Sequence, residues 1–345
     1  MALALELVVQ QGLSPAASLA ADRALLAEAA DPARRATGVL RVYDLVGDVL
    51  SLGRFHLAPD APPSAPIAVW RRHSGGRAMP WGDGFVGVSL VLPHRSALVS
   101  SDPLALAPDQ VLNRCVRGIL GACELAGVPA VYPGRDVVTV DRRTLALVSF
   151  EVDANGALLF EAVIANRRDA SVLPRLLDAA DPRGRVKAAM VTPADTTCLA
   201  APGGRELDVA EVAALLRRGY ERRLDVTVAE RTLGDVPSFD DVAWLAARRW
   251  NPALRHHALA STQLGVFEAY TATEAGRIGD VVLAGDFIAN SGAIERLEDA
   301  LRGVPTERAA IEATVGRVLG APESFVLGVR PVATIADTIA RSVSA

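Results

Sequence analysis

Apolar residues recur every three to four positions over residues 18–30 (SLAADRALLAEAA), predicting an amphipathic helix with Ser18 as N-cap and Asp31-Pro32 as its stop. Short β-rich runs follow at 39–45, 49–52, 67–70 and 85–92, separated by Gly and Pro clusters. A helix is expected over 108–126, then strands at 137–140, 144–152 and 158–165. Asn155-Gly156 joins the last two as a two-residue hairpin signal. Helices are expected at 173–180 and 209–224. Over 225–240 the periodicity lapses and Gly234, Pro237 and Ser238 cluster, which places a boundary between units of residues 1–236 and 237–345. Beyond it, 265–272 and 281–284 read as a strand pair around Glu274-Ala275-Gly276, followed by helices at 293–301, 307–319 and 332–341. The fold class is α+β in two units, in keeping with 345 residues, and there is no internal repeat.

Half of the residues are hydrophobic and the formal charge is −4, a balance that excludes disorder and gives no basic field for nucleic acid. No apolar run reaches membrane-spanning length, and the opening MALALELVVQQG lacks the basic flank of a leader, so a cytoplasmic location is expected. Of 36 basic residues Lys187 alone is a lysine, and it reads as a surface residue with an accessory phosphate contact as the alternative. Cys115, Cys123 and Cys198 form no CxxC, and the first two lie eight apart in an apolar helical pattern, which reads as core packing. His256-His257 beside Arg255 read as a solvated helix face, and no metal site is expected. The G-x-G-x-x-G of residues 82–87 runs into a strand instead of opening a helix, which excludes a dinucleotide fingerprint.

The stretch that carries chemistry is Trp70-Arg71-Arg72-His73-Ser74-Gly75-Gly76-Arg77-Ala78. Two arginines at a strand end, followed by glycines, place fixed cations beside a backbone that another group can approach closely, a pattern suited to a carboxylate or phosphate and equally to an ordinary polar strand end. The stretch resembles the RRxSGGGA motif of the lipoate-protein ligase A and octanoyltransferase family. Residues 20–26 are similar to that family's first helix, 52–56 (LGRFH) to its G-R-x-Q turn, 134–141 (GRDVVTVD) to its G-R-N-D-L-x-V strand, and 283–287 (LAGDF) to the I-x-G-D-F strand of its C-terminal accessory domain. The resemblance implies a biotin/lipoate protein ligase-like mixed sheet with packed helices and a small α+β accessory domain. It implies acyl-adenylate formation from lipoate or octanoate with ATP and Mg, then transfer to a carrier-domain lysine. Carried over by position, Trp70, Arg71, Arg72, Ser74, Gly75, Gly76 and Asp136 would line the ligand pocket.

The chemistry departs from that pattern. Thr144 stands where the ligases have the lysine that bridges acyl carbonyl and phosphate, and Leu147 where they have glycine. Phe160-Glu161-Ala162 replaces an H-G-T block, and Pro80, Trp81 and Gly82 replace the polar residues after the glycines. The amidotransferase branch uses a cysteine in a C-P-G turn; here the turn is Tyr132-Pro133-Gly134, and a phenol is a poor substitute for a thiolate at neutral pH. Two readings follow: a diverged ligase in which Arg71 and Arg72 hold the anion, and a catalytically silent homologue that binds a lipoyl-type ligand or carrier domain as a regulatory or assembly partner.

Overall fold

The computed structural model describes residues 3–98, 107–182, 184, 188, 191–203 and 206–344. Lys187 lies outside the described residues. In chain order the elements are β1 (Leu3–Leu13), α1 (Pro15–Ala29), β2 (Thr37–Leu45), β3 (Asp48–Leu52), β4 (Ala68–Arg71), β5 (Met79–Gly82), β6 (Phe85–Leu92), α2 (Pro108–Leu125), β7 (Ala130–Val131), β8 (Val137–Val140), β9 (Arg143–Val152) and β10 (Leu158–Ala165). They continue with α3 (Leu173–Ala180), α4 (Ala200–Gly203), α5 (Val209–Arg223), β11 (Val226–Glu230), α6 (Asp241–Ala246), β12 (His256–Ser261), β13 (Val266–Glu274), β14 (Arg277–Gly285), β15 (Ile288–Ala289), α7 (Ser291–Leu301), α8 (Arg308–Leu319), β16 (Val326–Leu327) and α9 (Ala333–Val343).

The main sheet has eight strands in the order β11-β1-β2-β6-β10-β9-β8-β7. It is mixed: β1 runs parallel to both β11 and β2, and the remaining pairs are antiparallel. Three of its strands, β6, β9 and β10, are almost wholly buried, as expected of a sheet covered on both faces. On one face α2 and α5 close over an apolar core that includes Val88, Leu90, Phe160 and Leu216. The second face carries α1 and a smaller sheet, β4-β3-β5. Residues 256–344 build a three-stranded sheet, β12-β13-β14, against α7, α8 and α9, with Phe267, Ile294, Ile311 and Ile339 in its core.

Several boundaries differ from the sequence reading. Ser14, not Ser18, caps α1, with Pro15 at the first helical position, and Ser18 is instead a buried partner of Arg41. Residues 226–230, inside the stretch where the periodicity lapses, form the edge strand β11, paired with β1. His256 and His257 lie on strand β12 rather than on a helix face, and His257 Nε2 is 2.8 Å from Glu268 Oε1. The hairpin at Asn155-Gly156 and the turn at 274–276 are where the sequence places them.

The α2–α5 contact depends on missing side chains. A Cβ at Gly118 would lie 2.2 Å from the Tyr220 ring, and one at Gly219 would lie 2.3 Å from the Gly118 carbonyl oxygen. The Tyr220 hydroxyl donates to the Cys115 carbonyl at 2.8 Å, which closes the contact with a buried hydrogen bond. Cys115 and Cys123 are buried, and burial raises both thiols above their usual range, consistent with packing and not reactivity. We expect Gly219→Ala to destabilise the protein by about 1–3 kcal/mol through overpacking, whereas Gly316→Ala should stabilise it by roughly 0.5–1 kcal/mol. Gly316 sits in α8 with nothing within 4 Å of a built Cβ. Chemical denaturation of the two variants checks both the signs and the difference.

Candidate functional site

The Arg71–Gly76 segment leaves β4 and turns inward. Arg71 is 1% exposed, and its guanidinium donates to the carbonyls of Arg54 at 2.9 Å, His56, Leu245 at 2.9 Å and Arg248 at 3.1 Å. Leu245 is in the last turn of α6, where a cation also meets the negative end of the helix dipole, and Arg248 follows just beyond the helix. Trp244 Nε1 returns a hydrogen bond to the Arg71 carbonyl at 2.8 Å. Arg72 is fully buried and donates to Ser74 Oγ, the Gly75 carbonyl and the Arg77 carbonyl. Burial is the leading cause that lowers both guanidinium groups, Arg71 to about 9 and Arg72 to about 10. Arg248 and Arg54 add to it at Arg71, while Glu161 and Asp136 oppose it at Arg72. At neutral pH both are therefore cations engaged with the protein's own carbonyls. Both side chains lie in the packed interior.

The glycines are filled by protein as well. Gly76, in the left-handed region at φ 83°, donates its N–H to the Phe287 carbonyl at 2.7 Å. A Cβ at Gly75 would lie 2.4 Å from that same carbonyl, and one at Gly53 would lie 2.2 Å from the Gly76 oxygen. The segment 285–288 thus rests on the glycine turn. Around it, the Phe55 and Phe287 rings stack at 4.5 Å, and His56 Nε2 meets Asp286 Oδ1 at 2.9 Å. Trp70 packs edge-on against Trp81 at 5.4 Å.

Below the turn, a polar row crosses four strands of the sheet. The register aligns Arg41 on β2 with Ser89 on β6, Glu161 on β10 and Ser149 on β9, all fully buried. Arg41 Nη1 pairs with Asp22 Oδ1 of α1 at 2.9 Å, Glu161 Oε2 accepts from Ser74 N at 2.7 Å, and Ser149 Oγ donates to the Gly75 carbonyl at 2.7 Å. Asp22 Oδ2, Tyr43 Oη, Arg72 Nη1, Ser89 Oγ and Glu161 Oε1 have no hydrogen-bond partner. Glu161 is raised to about 7 by burial and by Asp22, against Arg72 and the Ser74 contact. Glu151, whose Oε1 accepts from Ser291 N at 2.8 Å and Oγ at 2.9 Å, is raised to about 8 by burial, with the Ser291 contacts opposing.

Asp136 joins this interior to an open cleft. It is buried and makes a bidentate pair with Arg77, Nε–Oδ2 2.5 Å and Nη2–Oδ1 3.0 Å. The cleft, about 490 Å³, runs from the first turns of α2 past the 132–136 turn to Gln263, Leu264, Ile288, Leu327 and Arg330. Its apolar wall is Leu112, Leu264, Ile288 and Leu327, and Asn113, Tyr132, Arg135 and Gln263 supply polar groups. Of the residues singled out in the sequence, Tyr132 and Asp136 line this cleft, while Trp70, Arg71, Arg72, Ser74, Gly75 and Gly76 form the packed interior beside it. Thr144 lies elsewhere: it is buried, its carbonyl accepts from Thr197 N at 3.0 Å, and it is not part of the cleft lining. The sequence reading gives no site role to Arg41, Glu151 or Glu161, buried charges within largely apolar strands.

Residues 251–320 match the family model of the bacterial lipoate protein ligase C-terminus. The chain has the lipoate-protein ligase fold. The structure of P. falciparum LipL1 in complex with lipoate aligns over 97% of this chain and 99% of its own, at 11% identity and a TM-score of 0.67. A lipoate-protein ligase A bound with ATP aligns over 72% of this chain and 93% of its own, at 18% identity and a TM-score of 0.51. The bipartite lipoate protein ligase of the Thermoplasma acidophilum lipoylation system aligns over 71% and 91%, at 17% identity and a TM-score of 0.52. A search of curated proteins finds no sequence match. Among the described residues no helix of this ligase-fold chain is long and apolar enough to cross a membrane.

The raised carboxyls set a pH dependence. A carboxyl whose folded value exceeds its unfolded one holds its proton more tightly in the native state, so its stabilising contribution is complete below the unfolded value and is lost as pH rises through the folded value. For Glu161 and Glu151 that window runs from the ordinary 4.5 to about 7 and about 8. The Glu151→Gln, Glu161→Gln double variant should therefore lose less stability than the parent across this window, measured as Tm against pH; equal slopes would place both carboxyls in ordinary surroundings.

Proposed function

We propose that the protein is a catalytically silent member of the lipoate-ligase fold which binds a lipoyl-type carboxylic acid, free or carried on a protein domain, in the cleft beside the 132–136 turn. The observation that carries this reading is the glycine turn: Gly76 N–H already donates to the Phe287 carbonyl, and Gly75 has no room for anything but that backbone. With Arg71 and Arg72 engaged on internal carbonyls and Thr144 in place of the family's lysine, the residues present do not fit a magnesium nucleotide, and no adenylation step is derived through them.

The cleft fits an amphipathic acid. Its aliphatic wall suits a short hydrocarbon tail, the usual composition of small-molecule pockets, and Arg135 is exposed at its rim as a cation for a carboxylate. LipL1 was solved with lipoate, which supports the same ligand class here. A soluble, cytoplasmic acid-binding or carrier-binding partner, with residues 237–345 as its accessory unit, is the form this reading takes.

Calorimetric titration with lipoate, octanoate and ATP, separately and together, tests it. Lipoate or octanoate should bind without ATP, and Arg135→Ala should weaken that binding about tenfold, the loss expected of one exposed charge-assisted contact. Acid-dependent ATP–pyrophosphate exchange should be absent. Robust exchange would overturn silence in favour of a working ligase, and unchanged affinity in the Arg135 variant would move the ligand out of this cleft.

A further inference from the structure

A second cleft, of about 350 Å³, lies where the start of α5 meets the β5–β6 turn. Among the described residues its lining carries five carboxylates, Asp44, Asp83, Glu206, Asp208 and Glu211, against one arginine, Arg167. The acidic character is joined by an independent feature. Asn166, at the end of β10, forms part of the same lining and is 3% exposed, and its Oδ1 has no hydrogen-bond partner. The orientation of the amide is fixed, because its Nδ2 donates to the Leu207 carbonyl at 2.7 Å and only the NH₂ end is able to do so. What remains unpaired in this lining residue is a buried acceptor.

The carboxylates give the cleft a negative field; Asp44 Oδ1 and Asp83 Oδ1 each accept one backbone N–H, from Gly12 at 2.6 Å and Gly47 at 3.0 Å, which leaves their second oxygens to pair with a cation. The positive end of α5 does not reverse this, since Asp208 and Glu211 answer it with a reciprocal capping box, Glu211 N to Asp208 Oδ1 at 2.7 Å and Asp208 N to Glu211 Oε2 at 3.0 Å. Nor are the carboxylates arranged around a single ion: among the described residues no three His, Cys, Asp or Glu side chains stand close enough to hold a metal. Carboxylates spread along a cleft, ending at a buried amide oxygen, suit a chain that carries several ammonium groups.

We infer that this cleft binds a linear polyammonium chain, with one ammonium donating to Asn166 Oδ1 and others pairing with Asp83 and Glu206. The same chemistry is offered by a free polyamine and by the lysine side chains of a basic peptide. Titration of the full chain with spermidine and with tetralysine amide, at roughly physiological ionic strength so that diffuse attraction is screened, separates them. One or both should bind with one-to-one stoichiometry, and the arm that binds identifies the source.

Asp83→Asn with Glu206→Gln should weaken that binding about tenfold, as expected for losing two partly exposed ion pairs. Glu206→Gln alone, at an exposed side chain, should weaken it less and keeps the test valid if the double variant fails to fold. Lack of binding in both arms, affinity unchanged in the variants, or displacement by magnesium chloride as effective as by the probe itself would each overturn the site. Lipoate binding is not involved in any of these readouts.

Discussion

The contact on which the rest depends is a backbone one: Gly76 N–H to the Phe287 carbonyl, with Gly75 held flat against the same carbonyl and Gly53 against Gly76. Three chain segments meet there at distances no side chain permits. Once the backbones are this close, their carbonyls lose water and need donors. Arg72 supplies donors to the Gly75 and Arg77 carbonyls, and Arg71 serves the adjoining carbonyls of Arg54, His56, Leu245 and Arg248 through its fixed fork of N–H groups. The two arginines thus hold the backbone on either side of the glycine contact, and the segment RRHSGG reads as one structural unit.

That arrangement sets the electrostatics of the interior. Buried cations without carboxylate partners are costly, and the protein places Glu161, Asp136 and Asp286 within range of Arg72. The same burial raises Glu161 and Glu151, so the interior holds carboxyls poised to gain or lose protons near neutrality beside arginines that stay charged. Tyr43, under the Arg41 guanidinium at 3.8 Å, and the Trp70–Trp81 pair seal this layer from solvent. A network with unpartnered atoms at Asp22, Ser89 and Glu161 is held by surrounding packing and not by its own completeness.

Much of the fold is legible in the sequence because it rests on local signals. The strands at 137–140 and 158–165 and the helix at 108–125 follow from apolar spacing bounded by Gly and Pro. β1, which the sequence reading does not place, buries Leu3, Leu5 and Leu7 in period two, and its parallel pairing with Val226–Glu230 is set by a partner far along the chain. Ser14 outcompetes Ser18 as the cap of α1 because Pro15 fits the first turn and Ser18 is needed by Arg41. The site was only half legible. Arginines before glycines announce close approach, yet sequence does not say whether the approaching group is a ligand or the chain itself. Arg41 in VLRVYDL and Glu161 in LLFEAVIA are the visible sign of the polar row, since a charge buried inside an apolar strand must find a partner across the sheet.

This ambiguity bears on how the motif relates to function. In a ligase-fold chain, arginines and glycines that hold three segments together are required for folding whether or not a nucleotide ever binds. Their presence therefore carries no argument for adenylation, and residues with no structural task become the better guides. Tyr132, partly exposed on the 132–136 turn, occupies a position where a different side chain would be equally compatible with the turn, so its identity reports on chemistry more directly than that of Arg71 or Gly76 does. By that criterion the open cleft at Arg135, whose guanidinium is exposed and is not needed to hold the backbone in place, is where ligand chemistry has room to act.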